Sequence, residues 1–168
     1  MTDNQTSLLS IDTIGSLVIC DRQSIPYSAK KFPELSLVIP TFNEGQNIKQ
    51  IVSILVELLD RIIPEDYELI VVDDDSPDRT WELARELIAT YPQLRVIRRQ
   101  TERGLSTAVI RGWQAARGEI LGVIDADLQH PPEILLRLWA EMNQGAELAV
   151  ASRNITGGAV SESRLVRR

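Results

Sequence analysis

The sequence predicts an α/β protein: a mostly parallel, doubly wound sheet flanked by helices. Three observations predict it. From Leu35 onward, short apolar runs alternate with stretches whose apolar residues recur at helical spacing. Each run is closed by polar turn residues and then by a helix, the order that parallel strands need for their crossovers. Acids also stand just beyond three of the runs, at Glu44, at Asp73-Asp74-Asp75 and at Asp125 with Asp127. Those are the carboxyl ends of strands, where open α/β sheets bind ligands.

Residues 1–33 are rich in Ser, Thr, Asp, Asn and Gln and have no sustained period. They predict a partly disordered extension with one short strand at Leu17–Cys20, leaving 34–168 as the folded domain. Leu35–Pro40 reads as the first buried strand. Ile48, Ile51, Val52, Leu55, Leu58 and Leu59 follow on one helical face, and Pro64 marks the exit. Glu68–Asp73 is the second strand, after which Asp78 is placed to cap a helix with Ala84, Leu87, Ile88 and Tyr91 inward. Leu94–Arg98 is a third strand. Leu105, Ala108, Val109, Trp113 and Ala116 form the next helical stripe, closed by Gly118 in a left-handed turn. Glu119–Ile124 is a fourth strand, followed by a helix opened by Pro131 and Pro132 with Ile134, Leu135, Leu138, Trp139 and Met142 as its core face. Glu147–Ser152 is the last expected strand, and beyond Gly157-Gly158 no element is expected.

Composition narrows the function. The chain has 168 residues, 43% of them hydrophobic, which suits one domain with a sizeable core. A net charge of −6 argues against nucleic acid as a partner. The single cysteine, Cys20, excludes an intramolecular disulfide framework and a cysteine-based zinc site. No apolar stretch approaches the roughly 20 residues that span a bilayer, and no secretory leader pattern opens the chain. These features predict a cytoplasmic protein.

The chemistry concentrates in Asp125-Ala126-Asp127. Strand side chains alternate faces, so a one-residue spacing lets both carboxylates point the same way. Two such oxygens suit a hard divalent cation that also holds phosphates. No glycine-rich loop of the dinucleotide or P-loop kind is present. His130, the only histidine, reads as a loop residue beside the Pro-Pro helix start, and Cys20 as packing.

Val38-Ile39-Pro40-Thr41-Phe42-Asn43-Glu44, Val71-Val72-Asp73-Asp74-Asp75-Ser76-Pro77-Asp78, Arg103-Gly104-Leu105-Ser106-Thr107-Ala108, Asp125-Ala126-Asp127-Leu128-Gln129-His130-Pro131-Pro132-Glu133 and Ala151-Ser152-Arg153 occur in that order. The set resembles family 2 glycosyltransferases and, more narrowly, dolichol-phosphate mannosyltransferases and polyprenyl-phosphate glycosyltransferases, over about Leu35 to Arg168. The resemblance implies a Rossmann-like GT-A fold that binds a nucleotide-sugar, GDP-mannose or a UDP-sugar, with Mg²⁺ or Mn²⁺. It implies that Pro40, Phe42, Glu44, Val72, Asp74, Asp125, Ala126, Asp127 and Arg153 bind the donor, with Arg103 a further candidate. Asp74 would accept from the base, and Asp127 with Gln129 would hold the metal. Asp125, Asp127 and Arg153 would carry the catalysis, while Arg167 or Arg168 would meet the phosphate of a polyprenyl or dolichyl phosphate acceptor.

The implied reaction is an inverting transfer of a hexose, mannose or glucose, to that lipid phosphate at the cytosolic face of a membrane, by peripheral contact. An anionic phosphate needs no protein base, whereas a hydroxyl acceptor does. After Asp127 the remaining acids are Glu133, Glu141, Glu147 and Glu162, none placed as an obvious base. The alternatives are a family 2 transferase with a hydroxyl acceptor and a truncated donor-binding domain without turnover. A receiver-like signalling domain lacks its late lysine here. Phe42 stands where a tyrosine is frequent and Arg79 where glycine is usual. The chain ends at Arg168, where the family's acceptor loop is expected to begin, so the catalytic domain reads as incomplete at that end.

Overall fold

The computed structural model describes residues 32–129, 131–151 and 164–167. The expected extension up to residue 31, with its strand at Leu17–Cys20, lies outside them, as do Cys20, His130, Arg153, Gly157-Gly158 and Arg168. The elements run β1 (Leu35–Thr41), α1 (Ile48–Ile62), β2 (Tyr67–Asp73), α2 (Thr80–Glu86), β3 (Leu94–Arg98), α3 (Leu105–Ala115), β4 (Ile120–Val123), α4 (Ile134–Asn143), β5 (Leu148–Val150) and β6 (Arg164–Arg167). One sheet takes them in the order β3-β2-β1-β4-β6-β5. The β3, β2, β1 and β4 strands are parallel neighbours, and β6 is antiparallel to both β4 and β5.

The α/β, mostly parallel expectation therefore holds, with one addition. No element was expected past Gly158, yet Arg164–Arg167 forms a strand between β4 and β5. Arg-Leu-Val-Arg is too short and too charged to show a strand's alternation, and its pairing partners are distant in sequence.

Alternation along the strands builds a core on each face. Leu35, Leu37 and Ile39 of β1 and Tyr67, Leu69 and Val71 of β2 pack with α1, α4 and Ala84 of α2. Val38, Ile70 and Val72 point the other way, onto Ala108 and Ala116 with Trp113 beside them. The six apolar residues expected on the inner face of α1 are all buried, as are Leu135, Leu138, Trp139 and Met142 of α4.

Three local expectations fail for physical reasons. α2 stops at Glu86 and a 3₁₀ turn, Leu87–Ala89, follows, so Ile88 rotates out to 38% exposure. Leu105 begins α3 at the mouth of a cavity instead of over the sheet and is 60% exposed. Gly118 has no left-handed φ. Close approach explains it: a Cβ there would sit 2.6 Å from the Ser36 nitrogen and 2.7 Å from its hydroxyl.

Among the described residues no helix is long and apolar enough to cross a membrane. The strand order reverses direction between β1 and β4, which opens a crevice at the carboxyl ends of those strands.

Candidate active site

A cavity of about 520 Å³ fills that crevice. It is lined by residues from three strand ends, among them Pro40 near the end of β1 with Phe42 and Glu44 just after it, Asp74 after β2, and Asp125, Ala126 and Asp127 after β4; Arg103 and Gly104 before α3 and Leu105 and Ala108 within it complete the lining. Most of the donor-site residues expected from the sequence thus line one cavity.

Hydrogen bonds tie the loops after β1 and β2 together. Asn43 N–H donates to Ser76 Oγ at 3.0 Å and Glu44 N–H to Thr80 Oγ1 at 3.0 Å. Gly45 N–H donates to Asp78 Oδ2 at 2.9 Å, while Asp78 Oδ1 accepts from the Thr80 N–H at 3.0 Å and its hydroxyl at 2.6 Å. Asp78 was expected as the helix cap. Arg79 occupies that position, and Asp78 holds the first helical N–H from one residue earlier. Burial alone would raise its pKa, but the hydrogen bonds from Thr80 and Gly45 outweigh burial and hold it below the usual carboxylate value. These bonds fix the backbone that presents Phe42, 47% exposed, to the cavity.

The three acids after β2 have different tasks. Asp73 is fully buried and bonded to Thr41 and Ser76. Asp75 pairs with Arg98, whose guanidinium lies 3.9 Å from the Trp81 ring centroid. Asp74 lines the cavity, and both of its oxygens already hold partners. Oδ1 accepts from Arg99 Nε at 2.7 Å, and Oδ2 from the Gly104 N–H at 2.7 Å. Arg99 was missed in the sequence. The only signal was an arginine placed directly after a strand, and burial at 5% exposure is what distinguishes it from its neighbours.

After β4, Asp127 Oδ1 accepts the Gln129 N–H at 3.0 Å, so the loop curls around its own carboxylate with Leu128 at a left-handed φ of 57°. Its other oxygen has no protein partner among the described residues.

Three expected site residues lie elsewhere. The Val72 side chain is fully buried under α3 and does not line the cavity, because strand alternation turns it into the second core. Gln129 is exposed and outside the lining, contributing only its backbone N–H. Arg167 pairs in register with Ile120, at the start of β4. It bonds Glu119 at 3.3 Å and the Met142 carbonyl at 3.1 Å, which puts it at the end of the sheet opposite the cavity.

Among the described residues no three His, Cys, Asp or Glu side chains gather to cage a metal. The cavity offers Asp127 and Asp125, hard oxygen donors few in number. That set fits Mg²⁺ or Mn²⁺ drawing its remaining ligands from substrate phosphates and water.

Residues 36–168 match the model of glycosyl transferase family 2. The chain belongs to that family. A dolichol-phosphate mannosyltransferase from Pyrococcus furiosus is 48% identical over 127 residues, 76% of this chain and 35% of the relative. A polyprenol monophosphomannose synthase from Mycolicibacterium smegmatis is 36% identical over 139 residues, 80% of this chain and 51% of the relative. The chain thus spans about a third to a half of the curated relatives' lengths. Among solved structures, a mannosyltransferase from Pyrobaculum calidifontis in complex with GDP-mannose and Mn²⁺ superimposes with a TM-score of 0.66 at 20% identity, over 86% of this chain and 48% of that one. A mannosyl-3-phosphoglycerate synthase from Rubrobacter xylanophilus superimposes with a TM-score of 0.64 at 18% identity, over 80% and 54%. The fold of this family 2 member is GT-A.

Proposed function

We propose that this family 2 glycosyltransferase is an inverting, metal-dependent hexosyltransferase, and that the cavity is its donor site. It would take mannose or glucose from a nucleotide-sugar and pass it to a polyprenyl or dolichyl phosphate at the cytosolic face of a membrane. The observation that carries the reading is the cavity lining itself, which gathers an exposed aromatic, Phe42, with the carboxylates of Asp74, Asp125 and Asp127 and the cation of Arg103. The similarity to a dolichol-phosphate mannosyltransferase from Pyrococcus and a polyprenol monophosphomannose synthase from Mycolicibacterium supports the acceptor.

Each group has a task within that reading. Phe42 offers a face for the base, and Asp74 Oδ2, which accepts the Gly104 N–H, keeps a lone pair that can accept from a base N–H. Arg103, 5.7 Å from the Phe42 ring centroid, sets a cation where a diphosphate enters. Asp127, with Asp125 beside it, would hold Mg²⁺ or Mn²⁺. Such an ion stabilises the negative charge that grows on the departing nucleoside diphosphate. A lipid-phosphate oxygen attacks C1 as the C1–O bond to the diphosphate breaks, and one displacement inverts the centre. Arg153, outside the described residues, is proposed to grip donor and acceptor phosphates, and Arg168 the acceptor.

The test incubates the chain with radiolabelled GDP-mannose, UDP-glucose or UDP-N-acetylglucosamine and polyprenyl phosphate, with and without Mn²⁺. Mn²⁺-dependent labelled lipid, lost in Asp127→Asn, is the expected result. Label on a sugar hydroxyl instead would support the hydroxyl-acceptor alternative. Donor binding without turnover would support a donor-binding domain.

A further inference from the structure

We infer that Arg99 is a positioning residue of the donor site: it ties Asp74 to the 102–107 segment and thereby fixes Arg103 at the cavity mouth. The inference rests on reading the cavity as a nucleotide site. Arg99 follows β3 and is 5% exposed, whereas Arg95 is half-buried and Arg98 and Arg103 are exposed. Its Nε–H donates to Asp74 Oδ1 at 2.7 Å, and Nη2 pairs with the same oxygen. Nη2 also donates to the Gly104 carbonyl at 3.0 Å. Nη1 donates to Thr107 Oγ1 at 2.9 Å and to Glu102 at 3.4 Å.

Of the five N–H donors of a guanidinium, four make hydrogen bonds to these partners, and Nη2 also pairs with Asp74. Buried and engaged in this way, Arg99 acts through its neighbours. Gly104 is held from both sides: its N–H by Asp74 Oδ2 at 2.7 Å, its carbonyl by Arg99 and by the Ala108 N–H at 3.0 Å. Its φ of +116° is one that only glycine adopts without strain. With that peptide pinned, the preceding residue has little freedom, and Arg103 is directed over Phe42. The same ion pair compensates the charge of Asp74, which is 6% exposed and would be costly to bury alone.

Lysine has three donors on one nitrogen and cannot reproduce the fork. Arg99→Lys should therefore keep the charge beside Asp74 and lose the grip on Gly104 and Thr107. The experiment measures GDP and UDP binding with Mn²⁺ by calorimetry for wild type, Arg99→Lys, Arg99→Met, Arg103→Ala and the Arg99→Lys/Arg103→Ala pair, with thermal unfolding of each. Expected are affinity losses of about tenfold for Arg99→Met and about threefold for Arg99→Lys. The double variant should be no weaker than Arg103→Ala alone, the non-additivity of residues acting as a unit. If Arg99→Met does not fold, Arg99→Lys and the double variant carry the test. Folded variants that bind within twofold of wild type, or losses that multiply independently, overturn the inference while leaving the donor-site reading intact. A folded wild type that binds neither nucleotide overturns both.

Discussion

Thr41 and Asp73 face each other in the register of β1 and β2, and the Thr41 hydroxyl donates to Asp73 Oδ2 at 2.8 Å. The same carboxylate accepts the Ser76 N–H at 2.9 Å and the Ser76 hydroxyl at 2.7 Å. Ser76 Oγ in turn accepts the Asn43 N–H. The first acid after β2 is thus the knot between the two loops that shape the cavity, in contrast to the ligand-facing Asp74.

Asp73→Ala should destabilise the protein by about 3 kcal/mol, because it removes three charge-assisted hydrogen bonds and leaves buried donors unpaired. Urea unfolding checks this. A loss under about 1 kcal/mol would mean that the loops are held by other contacts.

This division of labour among neighbouring acids marks the boundary of what the sequence reveals. Strand–helix alternation identified β1 to β4 and the edge at which Glu44, Asp74 and Asp127 meet, because burial imposes a period that residue type displays. Side-chain partnership has no period. Asp73, Asp74 and Asp75 look alike in a row, yet one knots loops, one lines the cavity and one pairs with Arg98. Arg99 was invisible for the same reason: Asp74, the partner that makes it part of the cavity wall, lies 25 residues away and is brought close only by the fold. Val72 was assigned to the site by motif, whereas the β2 alternation that puts Val71 in one core sends Val72 to the other. β6 was missed because its four residues acquire strand character from pairing with β4 and β5.

Arg79 sits at φ 62°, ψ 31°, left-handed, immediately before α2. A side chain there costs about 1–2 kcal/mol relative to glycine. Its ion pair with Glu82 joins exposed side chains and offsets little of that. Arg79→Gly should therefore stabilise the protein by about 1 kcal/mol, read as a rise in thermal midpoint. An unchanged or lower midpoint would show that the strain is absorbed elsewhere.

Gly112, buried in α3, touches β1 through Val38. A Cβ at residue 112 would lie 2.5 Å and 2.6 Å from the two Val38 methyls. Overpacking costs about 1–3 kcal/mol, more than the roughly 1 kcal/mol that alanine gains in helix propensity. Gly112→Ala should lose about 1 kcal/mol, and adding Val38→Ala should cost less than the sum of the single changes. A double-mutant cycle with no coupling would sink the close-contact account.

Glu68 supplies the pH dependence. It is 1% exposed at the end of the sheet opposite the cavity. It accepts from the Ser36 hydroxyl at 2.7 Å, Arg95 Nη1 at 2.8 Å, and the Arg117 N–H and Nε at 2.7 and 2.9 Å. Burial by itself would raise its pKa; the bonds from Ser36, Arg95 and Arg117 outweigh burial and hold it below its ordinary value of 4.5. A carboxylate whose pKa is depressed on folding stabilises the fold fully above its unfolded pKa, and that contribution is lost as pH falls through the folded one. Glu68 therefore contributes in full above pH 4.5, and stability should decline on acidification below it. Glu68→Gln should be less stable than wild type at pH 7, because its neutral amide cannot balance two arginines, and the two should converge as the pH drops. Urea midpoints measured from pH 7 to pH 3 decide the matter. A gap between the curves that stays constant across that range would mean that Glu68 does not titrate with unfolding. Since Glu68 bonds residues at the start of β1, in β3 and just after α3, the acid loss should appear as global unfolding rather than as a local change at the cavity.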